Sequence, residues 1–119
     1  MTTVKLTLDA VLNDIEGSMA AALVDYDSGM ALGTAGTGVN LEVAAAGNTE
    51  VVRAKLRTMQ ALGIQGAIED ILITLQQQYH IIYLIPGQTL FLYLVLNKER
   101  ANLAMARYKL KAFAADLKV

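Results

Sequence analysis

Apolar positions recur along the chain at two periods, and the switches between them mark out its elements. Leu8, Val11, Leu12 and Ile15 fall at helical spacing on one face, with Thr7 placed to cap the start and Gly17 to end the helix. Asp9, Asn13, Asp14 and Glu16 lie off that face and should be solvated. Ser18 to Tyr26 is small and apolar, then β-like; Asp27-Ser28-Gly29 signals a turn, and Met30 to Thr34 returns as the second strand of a hairpin. Gly33, Gly36 and Gly38 then read as a loose segment before Asn40, which caps a second helix from Leu41 to Leu62. Leu41, Ala44, Ala45, Val52, Leu56 and Met59 lie along one side of it. Gly47-Asn48 interrupts the pattern, and a mid-helix glycine costs about 1 kcal/mol against alanine. Either the helix starts at Asn48 or something packs close against its backbone there. Gly63 and Gly66 end the segment.

Three strands follow: Ile68 to Gln76, Gln78 to Ile85 and Leu90 to Leu96, linked by Gln76-Gln77-Gln78 and Pro86-Gly87-Gln88-Thr89. Links this short require antiparallel neighbours, because a parallel crossover needs about a dozen residues or more. Leu90, Leu92, Leu94 and Leu96 point one way and Phe91, Tyr93 and Val95 the other; Ile82 and Leu84 oppose Ile81, Tyr83 and Ile85. With both faces apolar, helices must cover both, which makes three layers. A last helix spans Lys98 to Leu117, with Asn97 as its cap and Glu99 in its first turn. Leu103, Leu110, Phe113, Ala114 and Leu117 form its buried stripe, Met105, Tyr108 and Ala112 widen it, and Arg100, Arg107, Lys109, Lys111 and Lys118 supply a basic side.

The 119 residues fit a single domain, 1–119. At 55% hydrophobic and 18% charged residues the chain is richer in apolar side chains than average, which argues for a large core or an extra buried interface. There is no cysteine, so disulfides and thiol catalysis are excluded. The start, Met1-Thr2-Thr3-Val4-Lys5, lacks a charged region followed by an apolar run and a small-residue cleavage site, so no signal peptide is expected. The longest apolar runs, 90–96 and 81–86, fall far short of the roughly 20 residues a membrane helix needs. These features predict a cytoplasmic protein without direct membrane insertion. Net charge is −1, with seven acids and only Lys5 basic in residues 1–50, against six basic residues and two acids in 98–119. A nucleic-acid partner is not expected, because the overall basic excess that would mark one is missing. The asymmetry suggests terminal segments of opposite charge packed side by side.

The order helix, two strands, helix, three strands, helix resembles the roadblock (dynein light chain) family, over nearly the whole chain. The segment GSMAAALVDYDSGMALGT resembles the family's opening hairpin. IEDILITLQQQYHIIYLIPGQTLFLYLVLNKERANLAMARYKL resembles its strand triplet and the start of its last helix, and LEVAAAGNTEVVRAKLRTM its small-residue helix. The resemblance implies an α/β (α+β), profilin-like/roadblock fold. Its five-stranded antiparallel sheet would carry the second helix on one face and the terminal helices on the other. It implies dimers made by laying second helices together and pairing third strands edge to edge. In this chain that interface would take Ala44, Ala45, Asn48, Val52, Lys55, Leu56, Met59, Ile71 and Ile73. It also implies a non-catalytic, bacterial interaction module, a homodimer or a pair with another roadblock-type chain, that scaffolds or regulates a small Ras-like GTPase or a motility or signalling complex.

Other chemistry is thinly represented. The stretch Gly33 to Gly38 precedes a helix, and backbone amides there can hold phosphate, which leaves a small-ligand or nucleotide site as the alternative function. It lacks a P-loop's Gly-Lys-Ser/Thr and fails the dinucleotide pattern at its third glycine, so a plain connection is favoured. His80 is the one histidine; without cysteine or further histidine ligands no metal site, and no other cofactor, is expected, and a packed strand histidine is the favoured reading. Arg53 and Arg57, four apart on the second helix, are candidates for an acidic partner or a solvated face. Asp25 and Asp27 flank Tyr26, and capping the turn is favoured over a role as acid and base. No nucleophile motif is present, so no enzyme activity is expected.

Overall fold

In the computed structural model, which describes residues 3–117, the periods read from the sequence become α1 (Val4–Asp14), β1 (Ser18–Asp25), β2 (Met30–Gly36), α2 (Leu41–Leu62), β3 (Asp70–Thr74), β4 (Gln78–Leu84), β5 (Leu90–Asn97) and α3 (Leu103–Asp116). The strands make one antiparallel sheet in the order β2-β1-β5-β4-β3. Central β5 feeds two cores. Leu90, Leu92, Leu94 and Leu96 pack with Leu8, Val11 and Ile15 of the α1 region and Ala106, Leu110 and Ala114 of α3. Phe91, Tyr93 and Val95 pack with Leu41, Ala45 and Val52 of α2. The three expected layers follow from that double-sided burial.

Several boundaries move, each for a local reason. α1 begins one turn before the expected cap: Thr3 caps it, its Oγ1 accepting from the Leu6 amide at 3.3 Å. The extra turn lets Val4 join the core, and Thr7 becomes a buried interior residue. The helix closes at Ile15; Gly17, at φ +87°, forms the turn into β1 instead. α2 is capped by Asn40 and terminated by Gly63, and runs unbroken through Gly47-Asn48. Its contacts through Leu41, Ala45, Thr49 and Val52 to the sheet outweigh one glycine's cost of about 1 kcal/mol.

α3 begins later than expected. Asn97 Oδ1 accepts from the Glu99 amide at 3.0 Å and closes a turn, whereas Asn102 caps the helix by accepting from the Met105 amide at 3.0 Å. Met105, Tyr108 and Ala112 do not widen the buried stripe: at roughly 100° per residue they lie opposite Ala106, Leu110 and Ala114, and all three are exposed. Lys118 lies outside the described residues. α3 and α1 share one sheet face, and Lys109 Nζ reaches the Asp14 carbonyl at 3.1 Å and its carboxylate at 3.6 Å, consistent with opposite charge on the terminal segments. Arg107 ties α3 to β3 through two 2.8 Å bonds to the Asp70 carboxylate, and that pairing holds its guanidinium pKa above the ordinary arginine value. Among the described residues no helix is long and apolar enough to cross a membrane.

Candidate functional site

Strand β3 ends the sheet. In an antiparallel ladder, successive residues alternate between bonding the neighbour and pointing away from it. The Glu69 carbonyl accepts from the Leu84 amide at 3.1 Å and the Leu75 amide donates to the Gln78 carbonyl at 2.9 Å. The odd residues between them therefore bond β4, and the main-chain groups of Asp70, Leu72 and Thr74 point outward. Such an edge is a template for another strand. It is regular along its length, whereas β2 at the opposite edge is broken by a register shift beside Leu23 and Val24.

Helix α2 packs over β1 and β2, and its second half comes alongside this edge. One flank of the helix carries Ala44, Gly47, Val51, Ala54 and Thr58 at steps of three and four, with Leu62 beyond them 65% exposed. A Cβ added to Gly47 would meet nothing within 4 Å. Val51, Ala54, Lys55 and Thr58 face Ile68, Asp70 and Ile71 across a groove of about 640 Å³. The open edge and the second half of that helix flank thus lie side by side.

The residues expected at a dimer interface divide. Ala45 and Val52 are 1% and 0% exposed because they pack on the chain's own sheet, so they have no surface left to offer a partner. Ala44 and Leu56 pack partly against the same core, Asn48 and Met59 are half-buried, and Lys55 is exposed. Ile71 and Ile73 are half-buried on β3. The exposed flank is rotated by roughly 100° from the expected stripe. The expected set mixed small and large residues of one stripe, and it did not include Gly47, Val51, Ala54 and Thr58, which lie on this flank. Arg53 is not free: its Nε donates to the Tyr26 carbonyl at 2.9 Å, Nη2 to the Asp27 carbonyl, and Nη1 to Glu50 Oε1 at 3.3 Å. It clasps the β1–β2 turn to α2. Arg57 is exposed and makes no ion pair among the described residues.

Asn48 and His80 belong to one polar chain beneath α2. His80 Nε2 lies 2.8 Å from Gln78 Oε1, and Nδ1 lies 2.9 Å from the Tyr93 hydroxyl. The Asn48 side chain acts on the same hydroxyl, lowering its pKa against the effect of burial. One proton arrangement satisfies both bonds of the ring: Tyr93 donates to Nδ1, and Nε2–H donates to Gln78. Burial lowers the His80 pKa, which keeps the ring neutral as that arrangement requires, and burial raises the Tyr93 pKa. The histidine is therefore a packed strand residue that helps seat α2.

Comparison with solved structures places this architecture. A roadblock/LC7 domain from Streptomyces avermitilis superposes with a TM-score of 0.84 at 13% identity, covering 97% of this chain and 94% of that one. MglB from Myxococcus xanthus gives 0.82 at 14% identity, covering 94% and 89%. This chain has the roadblock fold. The gliding protein MglB from Thermus thermophilus gives 0.70 at 19% identity, covering 92% and 87%. No protein-family model matches the sequence. No curated protein matches it.

The roadblock architecture also accounts for the glycine segment. Gly33 and Gly36 lie within β2, so Gly33 to Gly38 is not one loose segment. A Cβ on Gly33 would come within 2.5 Å of Val4, so its absence lets α1 sit on β2. Gly36, at φ +89°, passes too close to the Met19 carbonyl for any side chain. At the start of α2 the Asn40 side chain already accepts from the amides of Glu42 and Val43, both at 3.1 Å, and Glu42 adds negative charge. A phosphate would meet a capped helix end and a carboxylate, which weighs against the nucleotide alternative. Asp25 caps the hairpin: Oδ1 accepts from the Asp27 amide at 2.9 Å and from Thr89 at 3.1 Å, and those bonds, the Asp27 amide first, hold its pKa below the ordinary value.

Proposed function

We propose that this chain is a non-catalytic, dimeric interaction module that scaffolds or regulates a small Ras-like GTPase in the cytoplasm. The observation that carries the reading is the open β3 edge beside the exposed flank of α2. Two copies related by a two-fold axis would pair the outward groups of Asp70, Leu72 and Thr74 and bury Gly47, Val51, Ala54 and Thr58 against their counterparts. Small residues along that flank let the helix backbones approach closely. In that arrangement Ile71 and Ile73, half-buried on β3, would lie beside the paired edge. A structural neighbour described as a gliding protein supports a motility or signalling setting, and the family resemblance in the sequence supports the GTPase.

Two measurements test this. Ile73→Lys places a charge beside the paired edge and should weaken self-association at least tenfold in sedimentation velocity; an unchanged dimer would refute the edge pairing. Tagged protein should retain a small GTPase from native lysate more strongly with one of GTP and GDP than with the other. Retention of no GTPase would leave the dimer standing and remove GTPase control.

A further inference from the structure

Strand β3 is its own complement about one residue. Ile71 packs in the core beneath α2, so Ile71 and Ile73 turn to that face; Asp70 reaches Arg107 of α3, so Asp70, Leu72 and Thr74 turn to the other. These three also carry the outward main-chain groups. β3 ends at Thr74, because the Leu75 amide already closes the turn onto the Gln78 carbonyl. Two antiparallel copies related by a two-fold axis can meet with the axis at Leu72, or beside it at Ile71 or Ile73. An axis at Leu72 sets Leu72 against itself and Asp70 against Thr74, so every outward residue of the strand exchanges bonds with the other copy. An axis at Ile71 leaves Thr74 without a partner in the strand, and an axis at Ile73 leaves Asp70 without one.

The side chains favour the same choice. With the axis at Leu72, half-buried Ile71 faces half-buried Ile73 of the second copy on the α2 side, and the two exposed Leu72 side chains cover each other on the α3 side. The Asp70 carboxylate is only 17% exposed and is fixed by two 2.8 Å bonds from Arg107. It would face the exposed Thr74 of the second copy, whose hydroxyl can donate to a lone pair that Arg107 leaves open. With the axis at Ile71 the same carboxylate would face Leu72. With the axis at Ile73, Leu72 would face Thr74, and Asp70 would reach past the strand to the turn. We propose, on the reading of β3 as the paired edge, that its occupant is a second copy of this chain held in one register, with Leu72 on the two-fold axis and Asp70 bonded to Thr74 of the other copy.

The chain has no cysteine, so an introduced one reports alone. Bonded residues of an antiparallel pair have Cα atoms about 5.5 Å apart, within disulfide reach. Moving the axis by one residue slides them two residues along the strand, beyond the limit of about 7 Å. Under mild oxidation Leu72→Cys should form a covalent dimer at least tenfold faster than Ile71→Cys or Ile73→Cys. Asp70→Cys and Thr74→Cys should cross-link when mixed and neither should do so alone. Melting and sedimentation velocity of the reduced proteins select the variants that fold and associate. Thr74→Val should weaken self-association at least threefold in the native background and leave it unchanged in Asp70→Ala. Within one copy these residues stand about 13 Å apart, so coupling between them reports a contact between copies. Faster cross-linking at Ile71 or Ile73, or additive effects of Asp70→Ala and Thr74→Val, would overturn the register and leave the edge pairing standing. A dimer that no cysteine within 70–74 captures would overturn both, and a chain that stays monomeric would overturn the register together with the dimeric reading.

Discussion

Removing the Tyr93 hydroxyl should separate the polar chain beneath α2 from the packing around it. Tyr93→Phe keeps the ring, which is buried between α2 and the sheet, so it opens no cavity of consequence. It deletes the partner that sits 2.9 Å from His80 Nδ1. The half-buried His80 ring is left without it, which should cost about 1–3 kcal/mol. For a domain of this size, about 2 kcal/mol corresponds to a fall in Tm of roughly 6–12 °C. Melting should be compared at fixed protein concentration, because dimerisation shifts Tm by mass action. The pH dependence gives a second signature. Burial lowers the His80 pKa from its ordinary 6.5, so the fold favours the neutral ring. That contribution is complete above pH 6.5 and is lost as pH falls from 6.5 through the lower folded pKa. In Tyr93→Phe the neutral ring loses its donated bond, so the pKa should rise and the acid sensitivity shrink. His80 is the only histidine, so one NMR resonance reports it. A variant that melts with wild type and titrates with it would refute the bonded chain.

Arg53→Ala should release the β1–β2 turn from α2. Its side chain is 38% exposed, so the loss should be near 1 kcal/mol in denaturant unfolding, with faster amide exchange confined to the turn. Thr7 Oγ1 is buried with no hydrogen-bond partner among the described residues. Thr7→Val keeps the shape and removes that hydroxyl, and should stabilise the fold by about 1 kcal/mol; a loss of stability would mean that the hydroxyl is satisfied.

The fold was legible wherever burial dictates the pattern. The unbroken apolar alternation of β5 required cover on both faces, and both cores are there. The caps were harder to place, because Thr3 competes with Thr7 and Asn102 with Asn97, and which one caps depends on where the helix meets the sheet. The rotation of a helix was hardest where small residues run all round it. In α2, alanines at 44, 45, 46 and 54 suit a core contact or an outward flank equally, and only the sheet decides that Ala45 is inside. In α3, Met105 and Tyr108 read as core by hydrophobicity, although their phase puts them outside. The polar chain was illegible for another reason: Asn48, His80 and Tyr93 come from separate elements, and only the pairing of β4 with β5 brings the last two together.

Gly47 offers a test in which two effects of one substitution have opposite signs. Within a monomer it is an exposed interior position of α2, and a Cβ there would touch nothing within 4 Å. Gly47→Leu should therefore stabilise the isolated chain by about 1 kcal/mol through helix propensity alone. If two α2 helices approach through this flank, the same side chain stands in the gap that glycine leaves open. Self-association should then weaken at least tenfold, while Gly47→Ala should fall between. Urea unfolding in the Ile73→Lys background reads the first effect, and sedimentation equilibrium in the native background reads the second. Greater stability together with weaker association would place Gly47 at the helix contact, since a general disruption of the fold lowers both. A leucine variant that dimerises as tightly as wild type would show that the helices do not meet at this residue, and would leave β3 alone to hold the pair.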